Sequence, residues 1–371
     1  MSDFTSALYL GLAHEHASLR PWQQFTSGKP AVLKTMPGAL SLASDLALLT
    51  GCEAATIAPS TLHLFLDVFS LWPHARTTSI YMDEGLYQIG RWGVERAMAH
   101  GLCVRRFRHQ DPNSLARCLL SGNTRNAIVV TDGFCPGCGK PAPVREYLDC
   151  LAGCKGWLVI DDTQAIGVLG RNPSAPAPLG LGGGGIMSMF NLRDSRAVLV
   201  CSLAKGFGVP MAFLAGARPL VDRFELASET RVHCSPVAAP VLHAAEQALA
   251  FNEHAGDRAR AALAQLILRL QSKLKSSRFR PGGGMFPVQT FTGFQDLPAE
   301  EIHRRLAASG IQTVLQRRRT SGEPQVAILL TARHTTREID KLSSTILALE
   351  DHCHGRPNLQ FRSGRVRTSR P

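Results

Sequence analysis

The chain has 371 residues with 41 lysines and arginines against 29 acids, a formal charge of +12, and 44% hydrophobic and 19% charged residues. That is ordinary globular composition, which excludes a disordered or fibrous chain, and the length allows a large buried core. No run of about 18 apolar residues is present, which argues against a transmembrane helix, and the opening MSDFTSALYLGLAHEH has no basic-then-apolar pattern of a secretory leader.

Along the chain, short β-branched apolar runs alternate with longer stretches of helical period, the pattern of a mostly parallel sheet wrapped by helices. An N-terminal arm (1–32) precedes a large α/β region (33–250). Helix is expected over SLASDLALLTG, stopping at Gly51, and over VREYLDCLAGC. Strands are expected at 54–59, 77–82, 126–132, 157–162, 197–202 and 213–216. The segment NPSAPAPLGLGGGGIM (172–187) lacks the Gly-Lys-Ser/Thr ending of a phosphate loop and is expected to be a flexible loop over a pocket. After Pro236 a long helical stretch runs to the breaker RPGGGMFP (280–287). Beyond it FPVQTF, a helix from Ala299, QVAILLT and a helix from Thr335 form a small α+β region, the C-terminal part of 251–352.

The last residues, 353–371, form a basic tail with arginines at 356, 362, 365, 367 and 370 and no acid after His354. A solvated, disordered tail is the expectation, and nucleic acid is not an expected partner because no basic stretch is interleaved with aromatics. Ten irregularly scattered cysteines suit a reducing cytoplasm. Cys135-Pro136-Gly137-Cys138, with Cys150 and Cys154 downstream, has spacing that could hold zinc; a plain loop without metal is the expectation.

Two strand ends carry the chemistry. Leu158-Val159-Ile160-Asp161 delivers a carboxylate at the carboxyl end of an apolar strand, where open α/β sheets bind ligands. About forty residues on, VLVCSLAKGFG places Lys205 after a buried strand and before a glycine turn, where a desolvated amine can act as a Schiff-base nucleophile. A reactive lysine and a carboxylate on one sheet match the needs of protein-bound pyridoxal phosphate.

These motifs resemble the fold-type I pyridoxal-phosphate enzymes of the class I/II aminotransferase superfamily, and among them the α-oxoamine synthases. The resemblance runs in family order through YLGLA (9–13), GCEAA (51–55), VVTDGF (129–134), VIDDTQAIGVLG (159–170), SLAKGFG (202–208) and HTTREID (334–340). It implies a large domain with a seven-stranded, mostly parallel sheet plus a small C-terminal α+β domain. It also implies pyridoxal 5′-phosphate held as a Lys205 aldimine, Lys205 shuttling a Cα proton, and Asp161 on the pyridinium nitrogen. Ser202 and the loop Ser60-Thr61-Leu62 would bind the phosphate, with Ser235 reaching into the partner's site in a homodimer. Asp132 would face the substrate.

Three positions depart from the family pattern. The stacking histidine is Tyr87, which can stack but not supply an imidazole proton. The histidine of DDAH is Gln164, which donates a hydrogen bond without titrating. The arginine that grips an amino-acid carboxylate is Ala327, with Arg317, Arg318 or Arg319 nearby as replacements. Three functions stay open on this basis: condensation of an acyl thioester with an amino acid or related amine, transamination, and an inactive protein that keeps the fold as an interaction module. The amine and acyl partners are not named by the sequence.

Overall fold

The computed structural model describes residues 1–14, 25–72, 77–122, 125–294, 296–318 and 321–354, the side chains of the last four excepted. Arg319 and the tail arginines lie outside the described residues.

Seven strands build the central sheet: β1 (Ala54–Ala58), β2 (Thr78–Asp83), β3 (Cys103–Phe107), β4 (Asn126–Asp132), β5 (Lys155–Asp161), β6 (Ala197–Ser202) and β7 (Ala212–Gly216). Their spatial order is β1-β7-β6-β5-β4-β2-β3. All neighbours are parallel except β7, which runs antiparallel to both β1 and β6. The strands read as continuous apolar runs because both faces are covered. Alternation along them divides the core: Val129, Leu158, Ile160 and Leu199 join one buried cluster, while Ile128, Val130, Val159 and Val198 join the cluster on the opposite face.

Six of these strands answer to expected ones within a residue or two; β3, CVRRF, was not expected. It is one of the sheet's two edge strands, only Phe107 of it is buried, and Arg105 and Arg106 interrupt its apolar pattern. Charged side chains are how exposed edges resist further pairing, and they erase the strand signal. The helix Ala39–Thr50 ends at Gly51 with φ 75°, where an L side chain would be strained.

The long helix after Pro236 is interrupted. Ala239–Phe251 and Asp257–Lys273 are joined by a π turn at Asn252–Gly256. There Asn252 donates to Gly182 O and accepts from Arg260 Nη1. Arg260, 1% exposed, also donates to Gly167 O at 2.8 Å. These bonds correct the expectation for residues 172–187: the segment is not a flexible cover. It is pinned by Asn252 and by Asp257, which accepts from Gly182 N–H, and it does not line the cavity that holds Lys205. Its glycines permit close approach, since a Cβ on Gly185 would strike the Asp162 carboxylate.

A second sheet contains β8 (Val288–Thr292), β9 (Val314–Arg317) and β10 (Pro324–Leu329), antiparallel in the order β8-β10-β9. The chain start returns to it: Ser2–Asp3 pairs in parallel with Ile311–Gln312, and Phe4 stacks on His334 at 4.4 Å. This places Ala7 and Tyr9 where they line the Lys205 cavity.

Candidate active site

The carboxyl ends of β2, β4, β5 and β6 all open on one side of the parallel sheet. Asp132 and Asp161 are in register at the ends of β4 and β5, both buried. Asp132 accepts the Tyr87 N–H at 3.0 Å, which fixes the start of the helix Gln88–Ala99 and the ring above it. Asp161 accepts the Thr163 N–H at 3.1 Å, and Thr163 Oγ1 accepts from Ser202 N–H at 3.0 Å. The loops leaving β5 and β6 are thereby tied together, three residues before Lys205.

Lys205 is half-buried in the turn after β6, its Nζ 5.9 Å from the centre of the Tyr87 ring. Both line a cavity of about 200 Å³, with Gln164. Gln164 is held by Tyr9, whose hydroxyl donates to Oε1 at 2.9 Å. Burial pushes the Tyr9 phenol above its ordinary range, so it stays a donor. Next to Asp161, Asp162 is fully buried and accepts the Ile186 N–H at 2.9 Å through one oxygen. Desolvation, with the Asp161 charge adding to it, holds its carboxyl well above the ordinary value.

Of the residues singled out from the sequence, the structure brings Lys205, Tyr87 and Gln164 into one cavity, bonds Asp132 to the Tyr87 backbone and links Asp161 to Ser202 through Thr163. It does not bring Ser60, Thr61, Leu62 or Ser235 to that cavity. Ser60 precedes the helix Thr61–Asp67 and bonds His63 Nδ1 at 2.8 Å, and His63 and Ser235 line a different, smaller hollow. Ala327 is buried in β10 and faces the core, while Arg317 and Arg318 both line the Lys205 cavity.

Tyr9, His109 and Gln325 also border the cavity and were missed as site residues. Tyr9 opens the YLGLA motif, which did not mark it as a site residue, and His109 lies outside every motif and carries no local signal. The four cysteines separate: Cys150 Sγ faces Pro112 O and Cys154 Sγ faces Leu151 O, whereas Cys135 and Cys138 lie with His109 in the cavity wall. A hydrogen bond from Cys135, with Arg318 adding to it, lowers the Cys138 thiol to about 6. Cys135 itself is pushed up to about 12, first by that bond and then by burial.

No protein-family profile matches this chain. Among curated proteins it is similar to 8-amino-7-oxononanoate synthase of Alcanivorax borkumensis, 26% identical over 255 residues, covering 68% of this chain and 63% of that protein. The enzyme of the same name from Azoarcus sp. is 29% identical over 254 residues, covering 68% and 62%. The matched segment thus spans less than two thirds of these relatives' own length, shorter than the order of motifs implies. Among solved structures, serine palmitoyltransferase from S. paucimobilis superposes with a TM-score of 0.82 at 17% identity, covering 95% of this chain and 88% of that one. 8-Amino-7-oxononanoate synthase from Francisella tularensis superposes with a TM-score of 0.73 at 17% identity, covering 95% and 98%. The chain has the fold of the fold-type I pyridoxal-phosphate enzymes and is a relative of the α-oxoamine synthases.

Proposed function

We propose that the protein binds pyridoxal 5′-phosphate and transfers an acyl group from a thioester to an amino acid or related amine, with release of the thiol and, from a substrate that carries an α-carboxylate, loss of CO2. The observation that carries this reading is that Asp161 ends β5 while Lys205 lies in the turn after the adjacent parallel strand β6, with the Tyr87 ring centre 5.9 Å from the amine. The donor set fits the cofactor chemically: a half-buried amine, a buried carboxylate, a flat aromatic face and an amide whose oxygen is already occupied. When bound, the cofactor supplies an electron sink for charge developed at the substrate Cα.

The chain's own residues do the rest. Lys205 holds the cofactor and moves a proton at the substrate Cα. Asp161 presents an anion to the ring nitrogen, and its burial strengthens that interaction. Tyr87 stacks, oriented by Asp132. Gln164, its Oε1 taken by Tyr9, points its amide N–H groups toward the ring oxygen. Ser202 serves the phosphate, and the helix start at Ser60-Thr61-Leu62, which does not line the Lys205 cavity, would join it there only if the phosphate extends beyond that cavity. Arg317 or Arg318 takes the substrate carboxylate in place of the arginine replaced by Ala327. In the same reading the protein is a homodimer, and Ser235, outside the Lys205 cavity of its own chain, serves the partner's site.

The test is to incubate the cofactor-loaded protein with single amino acids and acyl thioesters, and to follow thiol and CO2 release together. Stoichiometric release of both, requiring the two substrates, supports the reading. Amino-group transfer without a thioester would replace it with transamination, and no turnover with any pair would favour the interaction-protein alternative. No described helix is long and apolar enough to cross a membrane.

A further inference from the structure

Facing the same cavity as Lys205 is a group of side chains that the acyl-transfer reading leaves unused. Cys135 and Cys138 lie on a short hairpin in which Phe134–Cys135 pairs antiparallel with Lys140–Pro141. The Gly139 N–H closes the turn onto Cys135 O at 2.8 Å, with Gly139 at φ 66°. Two thiols on a two-residue spacer in a tight hairpin are the half-site from which tetrahedral zinc centres are built. His109, in the loop after β3, approaches from the other side, and the ligand atoms of the three residues lie within 4.8 Å of one another.

The histidine is prepared for ligation. Its Nδ1 is bonded at 2.6 Å to Asp83, a carboxylate with no solvent exposure that also accepts from the Gly85 and Gln110 N–H groups. A buried carboxylate on one ring nitrogen is the arrangement that orients a metal-bound histidine and raises its basicity. Nε2, the nitrogen left for a ligand, is buried and has no partner in full hydrogen-bond geometry, and the ring's other neighbour is the Cys135 thiol, itself one of the three candidate ligands. Gly85 leaves the room: a Cβ there would collide with the ring. A second buried polar atom in the same wall, Oε1 of Gln325, also lacks a partner, in a residue 1% exposed. Buried polar atoms are nearly always satisfied, so two in one wall point to a missing ion or its water.

We infer that His109, Cys135 and Cys138 form a binding site for a zinc-class divalent cation in the wall of the Lys205 cavity, with the remaining position open to Gln325, water or a ligand in the cavity. Two sulfurs and an imidazole select a borderline-soft ion over magnesium or calcium. An open fourth position is the mark of a cation that can meet a substrate.

The test uses the full-length protein loaded with pyridoxal phosphate, stripped by a chelator in the presence of a phosphine reductant and titrated with Co2+ alone. The expected result is a thiolate-to-cobalt band with tetrahedral ligand-field absorption in the red, saturating at about one ion per chain and displaced by Zn2+. Cys138→Ser should lose most of the thiolate band while keeping the wild-type circular dichroism, and Asp83→Asn should weaken binding by roughly 10–100-fold. Cys150→Ser should change nothing. Lys205→Ala should keep the cobalt spectrum, which separates this site from the cofactor and from any failure of acyl transfer. No saturable spectrum in the reduced protein, a spectrum unchanged in Cys138→Ser, or a Cys135–Cys138 disulfide that survives the reductant would each overturn the inference.

Discussion

The hydroxyl of Tyr9 donates to Oε1 of Gln164 across 155 residues of sequence, and that single bond decides which way the amide faces. With the oxygen occupied, the amide nitrogen is the group left for the cavity, as a site for an anionic ring oxygen requires. Tyr9→Phe should weaken pyridoxal-phosphate affinity by about 0.5–1.5 kcal/mol, the usual net worth of one hydrogen bond. Gln164→Glu should weaken it further by setting a carboxylate against that oxygen. Cofactor titration followed by absorbance measures both; unchanged affinity in Gln164→Glu would remove Gln164 from the site.

Arg317 and Arg318 stand on the cavity rim, where Arg317 Nη1 donates to Gly322 O and Arg318 N–H to Glu323 O. A carboxylate anchor acts in the ground state and the transition state alike, so its loss shows in KM more than in kcat. Arg318→Met or Arg317→Met should raise KM for the amino substrate by about 10–150-fold, the factor that corresponds to about 1.5–3 kcal/mol for a hydrogen bond to a charged group. Steady-state kinetics with varied amino substrate decide it. If neither substitution moves KM, the substrate carboxylate is held elsewhere or is absent.

Arg260 is a buried cation bonded to Gly167 O, Asn252 Oδ1 and Asp257. It couples the loop after Asp161 to the π turn between two helices. Arg260→Met leaves Gly167 O and Asn252 Oδ1 unpaired in the interior, while the exposed Asp257 turns to water, and should cost about 1–3 kcal/mol of stability. Urea denaturation gives the value. A cost under about 1 kcal/mol would mean that Asn252 and Asp257 hold the loop without the guanidinium.

Asp162 supplies a pH dependence of defined sign. Its carboxyl is held well above 3.8 by burial, so the folded protein keeps a proton that the unfolded chain gives up. The group's contribution is fully present below the ordinary carboxylate value and is lost as pH rises through the raised one. Wild-type stability minus that of Asp162→Asn should therefore fall with rising pH across this window. A flat or rising difference would show that Asp162 is ionised in the folded state.

The central strands were legible because burial on both faces leaves a continuous apolar run, as in NAIVVTD and AVLVCS. β3 and β9 were not. Both are edge strands broken by arginines at 105, 106 and 317, unlike the uncharged edges β1 and β8, and charge on an exposed edge erases the strand pattern. Lys205 and Asp161 could be read because Asp161 ends an apolar strand and Lys205 follows the next one by three residues. His109 could not, because its partners Asp83, Cys135 and Cys138 meet it only through the order of β3, β2 and β4 in the sheet. Residues 172–187 were misread for a related reason. Glycines that allow close packing look in sequence like glycines that allow motion.

The central claim is that Lys205 carries pyridoxal phosphate covalently beside Asp161. Borohydride reduction of the cofactor-loaded protein, followed by peptide mass analysis, tests it most directly. The account predicts a cofactor-sized mass increment on the peptide containing Lys205, absent in Lys205→Ala, and strongly reduced loading in Asp161→Asn. An increment on another lysine, or none in the wild-type protein at saturating cofactor, would contradict it.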